Sequence, residues 1–148
     1  MNDKELELLK KAMMNEDDGA EYYLAQSQQW HEKQVSENFK QLSEEESLHS
    51  KWLRELFDFK KSFGDEKIFT LTKVEKPRIY DWSDIRKISD MSIKDVFKKA
   101  MAMEEASYEY YESIKASSSD KDLIDLLDIL IEWEIEHFKS FRDIYESL

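Results

Sequence analysis

Cysteine is absent from the 148 residues, and only two glycines and one proline interrupt them. The first absence excludes disulfides, thiolate metal sites, a cysteine nucleophile and a rubredoxin-type iron centre. Scarce glycine and proline remove the turn residues that a many-stranded fold consumes, which leaves long helices. No stretch approaches the roughly 20 apolar residues of a membrane span. The opening segment MNDKELELLKKAMMNEDDGAEYY carries acidic side chains throughout, unlike a signal or transit peptide. Positive charge is also short, with 22 basic against 34 acidic residues and a net charge of −12. A phosphate backbone would therefore be approached against repulsion, and nucleic acid is not an expected partner. Together these shortages predict one all-α domain over residues 1–148, cytoplasmic and with no membrane partner.

What the chain does contain is a repeat. Glu46-Ser47-Leu48-His49 returns as Glu134-Ile135-Glu136-His137, an offset of 88 residues that also maps Glu16 onto Glu104, Tyr22 onto Tyr110 and Tyr23 onto Tyr111 without a gap. Each half lies on two helical stripes. In the first helix Leu9, Met13, Glu16, Ala20, Tyr23, Ser27 and Trp30 alternate spacings of 4 and 3. In the second, after a break near residues 31–34, the stripe is Val35, Phe39, Leu42, Glu46, His49, Leu53 and Leu56. The third reads Phe97, Met101, Glu104, Tyr108 and Tyr111. The fourth reads Leu123, Leu127, Leu130, Glu134, His137, Phe141 and Ile144. Short breaks imply antiparallel hairpins over 3–63 and 92–148, and residues 64–91 form a crossover with room for a short strand or helical turn. Asn2 with Glu5 and Ser92 with Asp95 predict helix starts, Gly64 a helix stop, and Ser117 to Asp120 a second break.

The stripes carry carboxylates and imidazoles where core residues belong. Glu and His three apart share one helix face, so each pair can reach one cation. With Glu16 and Glu104 added, four carboxylates and two imidazoles face one interior. That oxygen–nitrogen donor mix suits iron, manganese or zinc, and two divalent ions would balance four negative charges. Other polar residues read more plainly. Glu21/Glu109 and Glu44/Glu132 fall off the stripes onto a solvated face, His31 is a surface histidine, and Met13 and Met101 are core fillers.

This pattern resembles the rubrerythrin-like branch of the ferritin-like superfamily, in which helices contribute Glu, Glu-x-x-His, Glu and Glu-x-x-His to a di-iron centre. The resemblance runs from Ala12–Glu16 through Tyr23, Glu45–His49, Ala100–Glu104 through Tyr111, and Glu134–His137. It implies a ferritin-like four-helix bundle of two hairpins holding two irons, with Glu16 and Glu104 terminal, Glu46 and Glu134 bridging, and His49 and His137 each on one metal. Tyr23 and Tyr111 would donate hydrogen bonds to ligand carboxylates. Peroxide-reducing rubrerythrins usually have a further Glu three residues after the third-helix ligand. Here that position is Ser107, matched by Gly19, and the usual cysteine-ligated rubredoxin domain is also missing. The implied activity is redox chemistry on O₂, peroxide or ferrous iron, of peroxidase or ferroxidase type, with an external electron donor and a homodimer. Two alternatives stand beside it. One is a non-catalytic iron-binding, storage or sensing module; the other is a metal-free helical interaction protein using its acidic surface and the aromatic linker residues Phe69, Tyr80 and Trp82.

Overall fold

The computed structural model describes residues 1–71 and 75–148. Among these the chain forms four long helices, α1 (Asp3–Gln29), α2 (Lys33–Phe63), α3 (Ser92–Ser117) and α4 (Lys121–Ser147), plus a 3₁₀ turn at Ser83–Lys87 and no strand. The sequence reading allowed a strand or a helical turn in the crossover. The helical turn is present, and residues 72–74 of that stretch lie outside the described residues. No helix among the described residues is long and apolar enough to cross a membrane.

Cap chemistry sets the helix ends. The Asn2 side chain accepts from the Glu5 N–H at 2.8 Å, and Asp120 accepts from the Leu123 N–H at 2.9 Å, each satisfying a donor that the first turn leaves free. Gly64 ends α2 at φ +57°, a left-handed conformation open to glycine at no Cβ cost, and its N–H reaches the Lys60 carbonyl at 2.9 Å. The expected cap at Ser92 is not formed. Ser92 is already helical and its N–H donates to the Asp90 carboxylate at 2.9 Å, so the capping acid lies two residues earlier than the S-x-x-D pattern suggested.

The helices pack as two hairpins, α1 with α2 and α3 with α4. Tyr22, late in α1, donates to the Val96 carbonyl early in α3, while Tyr110, late in α3, donates to the Leu8 carbonyl early in α1. Those two helices therefore run antiparallel. Phe39 meets Phe97, both early in their helices, so α2 and α3 point the same way, as a crossover running the length of the bundle requires. Two apolar layers fill the interior. One gathers Leu9, Trp52, Leu56, Ile114, Leu127 and Trp133; the other gathers Tyr23, Phe39, Phe97, Phe141, Trp82 and Ile85.

The crossover is built into the second layer. Trp82 packs edge-on against Phe39 and Phe97 with ring centroids 5.3 and 5.1 Å away, and the buried Asn38 amide donates to the Asp81 carbonyl at 2.6 Å. This corrects the picture of an aromatic linker displayed as a contact patch. Trp82 is buried, Tyr80 and Phe69 are half-buried, and the exposed large apolar side chains among the described residues of 64–91 are Ile68, Ile79 and Met91. Removing a buried aromatic ring leaves a cavity that surrounding side chains refill only in part. Trp82→Ala should therefore cost about 3–5 kcal/mol in denaturant unfolding, whereas Ile79→Ala should stay within about 0.5 kcal/mol. Equal small effects would show that the crossover is not part of the core.

Candidate metal centre

Between the two apolar layers lies a polar one. Glu16 and Glu104 occupy core positions of α1 and α3, and α2 and α4 each present a glutamate and a histidine three residues apart on the inward face. All six side chains are buried. The structure brings them together as two overlapping donor groups, Glu16–Glu46–His49–Glu134 and Glu46–Glu104–Glu134–His137, with ligand atoms of each group within 4.8 Å of one another. Glu46 and Glu134 belong to both. His49 Nδ1 lies 3.0 Å from Glu134 Oε1 and 3.5 Å from Glu16 Oε2. His137 Nδ1 lies 3.5 Å from Glu46 Oε1 and 3.6 Å from Glu104 Oε1.

The two tyrosines work across the bundle. Tyr23 of α1 donates to Glu104 of α3 at 2.6 Å, and Tyr111 of α3 donates to Glu16 of α1 through a short hydrogen bond. Each serves the carboxylate of the opposite hairpin, because antiparallel packing places each tyrosine beside the other helix's glutamate rather than its own. These bonds hold one oxygen of each carboxylate and leave the other free. Glu16 Oε2, Glu46 Oε1, Glu104 Oε2, Glu134 Oε2 and His137 Nδ1 are buried without a hydrogen-bond partner among the described residues. Such groups are costly unless something compensates them, and a cation accepting lone pairs from each does so.

The titration behaviour reflects the same crowding. Burial and the neighbouring charges of Glu104 and Glu16 push the Glu46 carboxyl well above its usual range. For Glu16, burial acts upward, but contacts with Glu46, His49 and Tyr111 outweigh it and hold the group low. His137 is opposed by burial, yet Glu104, Glu45 and Glu46 together raise it well above the ordinary histidine value. Protons thus offset part of the crowded negative charge, and a metal entering this site would have to displace them.

One participant escaped the sequence reading. Glu45 is buried, accepts from the Tyr80 hydroxyl at 2.6 Å and the Arg78 N–H at 3.2 Å, and pairs with His137 Nε2 at 2.6 Å. Burial acts to raise its carboxyl, but these contacts hold it below the usual range. The pattern gives no signal for it, because it sits one residue off the core stripe in a glutamate-rich run, and its counterpart 88 residues on is Trp133 rather than an acid. The residues assigned to a solvated face, Glu21, Glu44, Glu109 and Glu132, and the surface histidine His31, are all exposed.

A cavity of about 380 Å³ opens between α1 and α3 and reaches the donor layer. Gly19, Tyr22, Glu46, Lys99, Glu104 and Ser107 line it. A Cβ on Gly19 would sit 3.5 Å from Glu46 Oε2, so the glycine leaves space directly in front of that carboxylate.

Comparison with known proteins places a family model described as Rubrerythrin on residues 7–145. No curated protein and no solved structure matches the chain.

The pH dependence of the metal-free protein follows from the charges. Glu46 and His137 are both raised, so the stability they contribute is present at low pH and is lost as pH climbs through their folded values, beginning above the ordinary 4.5 and 6.5. Glu16 and Glu45 are lowered and act oppositely, losing their contribution as pH falls below about 4.5. Metal-free protein should therefore melt at progressively lower temperature above pH 6.5. Glu46→Gln, neutral at every pH, should flatten that alkaline decline while weakening metal binding. A steeper decline in the variant would contradict the charge assignment.

Proposed function

The chain belongs to the rubrerythrin family, and on that premise we propose that it binds two iron ions in the buried Glu–His layer and uses them in redox chemistry on O₂, peroxide or ferrous iron. The observation that carries the reading is the pair of donor groups sharing Glu46 and Glu134, with unpartnered buried atoms from four carboxylates and one imidazole converging between them. Mixed carboxylate and imidazole donors suit iron, with manganese or zinc as the competing ions. Glu16 with His49 would hold one ion and Glu104 with His137 the other, while Glu46 and Glu134 bridge.

Two ferrous ions in this site would supply two electrons to a small oxidant. The remaining work belongs to side chains. Tyr23 and Tyr111 orient Glu104 and Glu16 by hydrogen bonds, fixing which carboxylate oxygen faces inward. The apolar layers on either side close the ends of the donor layer, and the cavity between α1 and α3 offers an approach at Glu46 and Glu104. Gly19 and Ser107 widen that approach at Glu46 and Glu104, where peroxide-reducing relatives place an extra carboxylate. Re-reduction requires a donor outside these 148 residues, since they contain no cysteine for a rubredoxin-type centre.

Anaerobic Fe(II) addition should saturate at two irons per chain, and exposure to O₂ should produce a near-ultraviolet charge-transfer absorption. Retention of a single zinc with no response to O₂ would sink the reading. If the cavity is the approach, Ser107→Leu should slow reoxidation several-fold without changing iron stoichiometry. Unchanged reoxidation would remove the cavity from the mechanism.

A further inference from the structure

The repeat extends beyond sequence into individual contacts. Moving every residue by 88 and exchanging the hairpins turns the Tyr23–Glu104 bond into Tyr111–Glu16, and Tyr22 on the Val96 carbonyl into Tyr110 on the Leu8 carbonyl. It also turns the His49–Glu16 approach at 3.5 Å into His137–Glu104 at 3.6 Å. Even the exposed surface obeys it, since Lys99 lies over the Tyr22 ring and Lys11 over the Tyr110 ring. Against that background the outer nitrogens of the two histidines differ. His137 Nε2 meets the Glu45 carboxylate at 2.6 Å. His49 Nε2 is buried with no hydrogen-bond partner among the described residues, and its ring packs at 4.7 Å, edge-on, against Trp133, the residue that replaces Glu45 in the second half.

This difference decides which tautomer each ring favours. With a carboxylate 2.6 Å from Nε2, a metal-ligating His137 keeps its proton on that nitrogen and turns the Nδ1 lone pair inward, toward Glu46 and Glu104. No comparable acceptor serves His49 Nε2 among the described residues. The carboxylates that approach its ring, Glu134 at 3.0 Å and Glu16 at 3.5 Å, both lie beside Nδ1, so the tautomer that can donate a hydrogen bond carries its proton there, on the nitrogen a metal would need. A metal on His49 Nδ1 would therefore displace this contact and leave the ring proton on Nε2, which has no hydrogen-bond partner among the described residues.

The crossover explains why one half alone has the acid. Glu45 is held by the Tyr80 hydroxyl and the Arg78 N–H, both in the linker joining the hairpins, and a single linker can serve a single side of a two-fold bundle.

We propose that Glu45 is a positioning residue that makes the two metal positions inequivalent, so that the position beside His137 fills first and the one beside His49 second. This rests on the di-metal reading above.

Cobalt(II) alone, added at one equivalent to the metal-free full chain, tests it by NMR of hyperfine-shifted exchangeable imidazole protons. Outer-sphere carboxylate partners change metal affinity by about 10- to 100-fold. One dominant species is therefore expected, in at least about 10:1 excess, with its shifted N–H belonging to His137 and so retained in His49→Ala. Glu45→Leu should abolish the preference and give two species of similar population. Tyr80→Phe leaves Glu45 in place without one anchor, and should reduce the excess without abolishing it. Equal populations in the wild type, a dominant species at His49, or an undiminished preference in both variants would overturn the inference while leaving a two-metal site intact. Failure to bind any cobalt would instead remove the metal reading, and this inference with it.

Discussion

Four carboxylates held within a few ångströms of one another in a layer nearly closed to water impose the requirement that organises this bundle. Like charges in a poorly polarisable interior repel strongly, and each carries a desolvation cost of several kcal/mol unless neutralised. Protons meet that requirement in part, which is why Glu46 and His137 are both pushed toward their protonated forms. Protons do not satisfy the lone pairs left facing one another in the centre, and two divalent cations would do both. The apolar layers above and below make the requirement strict, because they close both ends of the donor layer to water that would screen the charges.

The site is tied to the fold by symmetry and by its one exception. A two-fold relation between hairpins supplies matching carboxylate and imidazole donors, matching tyrosines and matching tyrosine-to-carbonyl bonds, so orienting one half orients the other. The crossover cannot follow that symmetry. It seals one end of the core with Trp82 and Ile85 and, a few residues earlier, fixes Glu45 behind His137. The segment that looked like a passive connection therefore shapes both the core and one half of the donor layer.

Much of this was legible in the residues, for a physical reason. Long helices with a strict 4–3 alternation fix which face turns inward, and the buried positions of α2 include all seven of its stripe residues. The stripe therefore placed Glu46 and His49 inside before any coordinates. Helix ends were legible where a side chain or glycine makes the cap locally, as at Asn2, Gly64 and Asp120. The pattern misled at Ser92, where Asp90 competes for the same role. What could not be read was contact between segments distant in sequence. The exchange of tyrosines between hairpins depends on antiparallel packing. Glu45 is significant only because Tyr80, Arg78 and His137 converge on it from 33 to 92 residues away. Off-stripe position normally signals a solvated residue, and a crossover folded over that face reverses the rule.

The central claim is that the buried Glu–His layer exists to hold two metal ions. Elemental analysis of freshly purified protein, paired with anomalous diffraction from its crystals, tests this most directly. The account predicts two ions per chain, iron in the native preparation, with Glu46 and Glu134 contacting both and each histidine contacting one through Nδ1. A layer free of metal in protein prepared without chelators, or one ion bound by a single donor group, would contradict it.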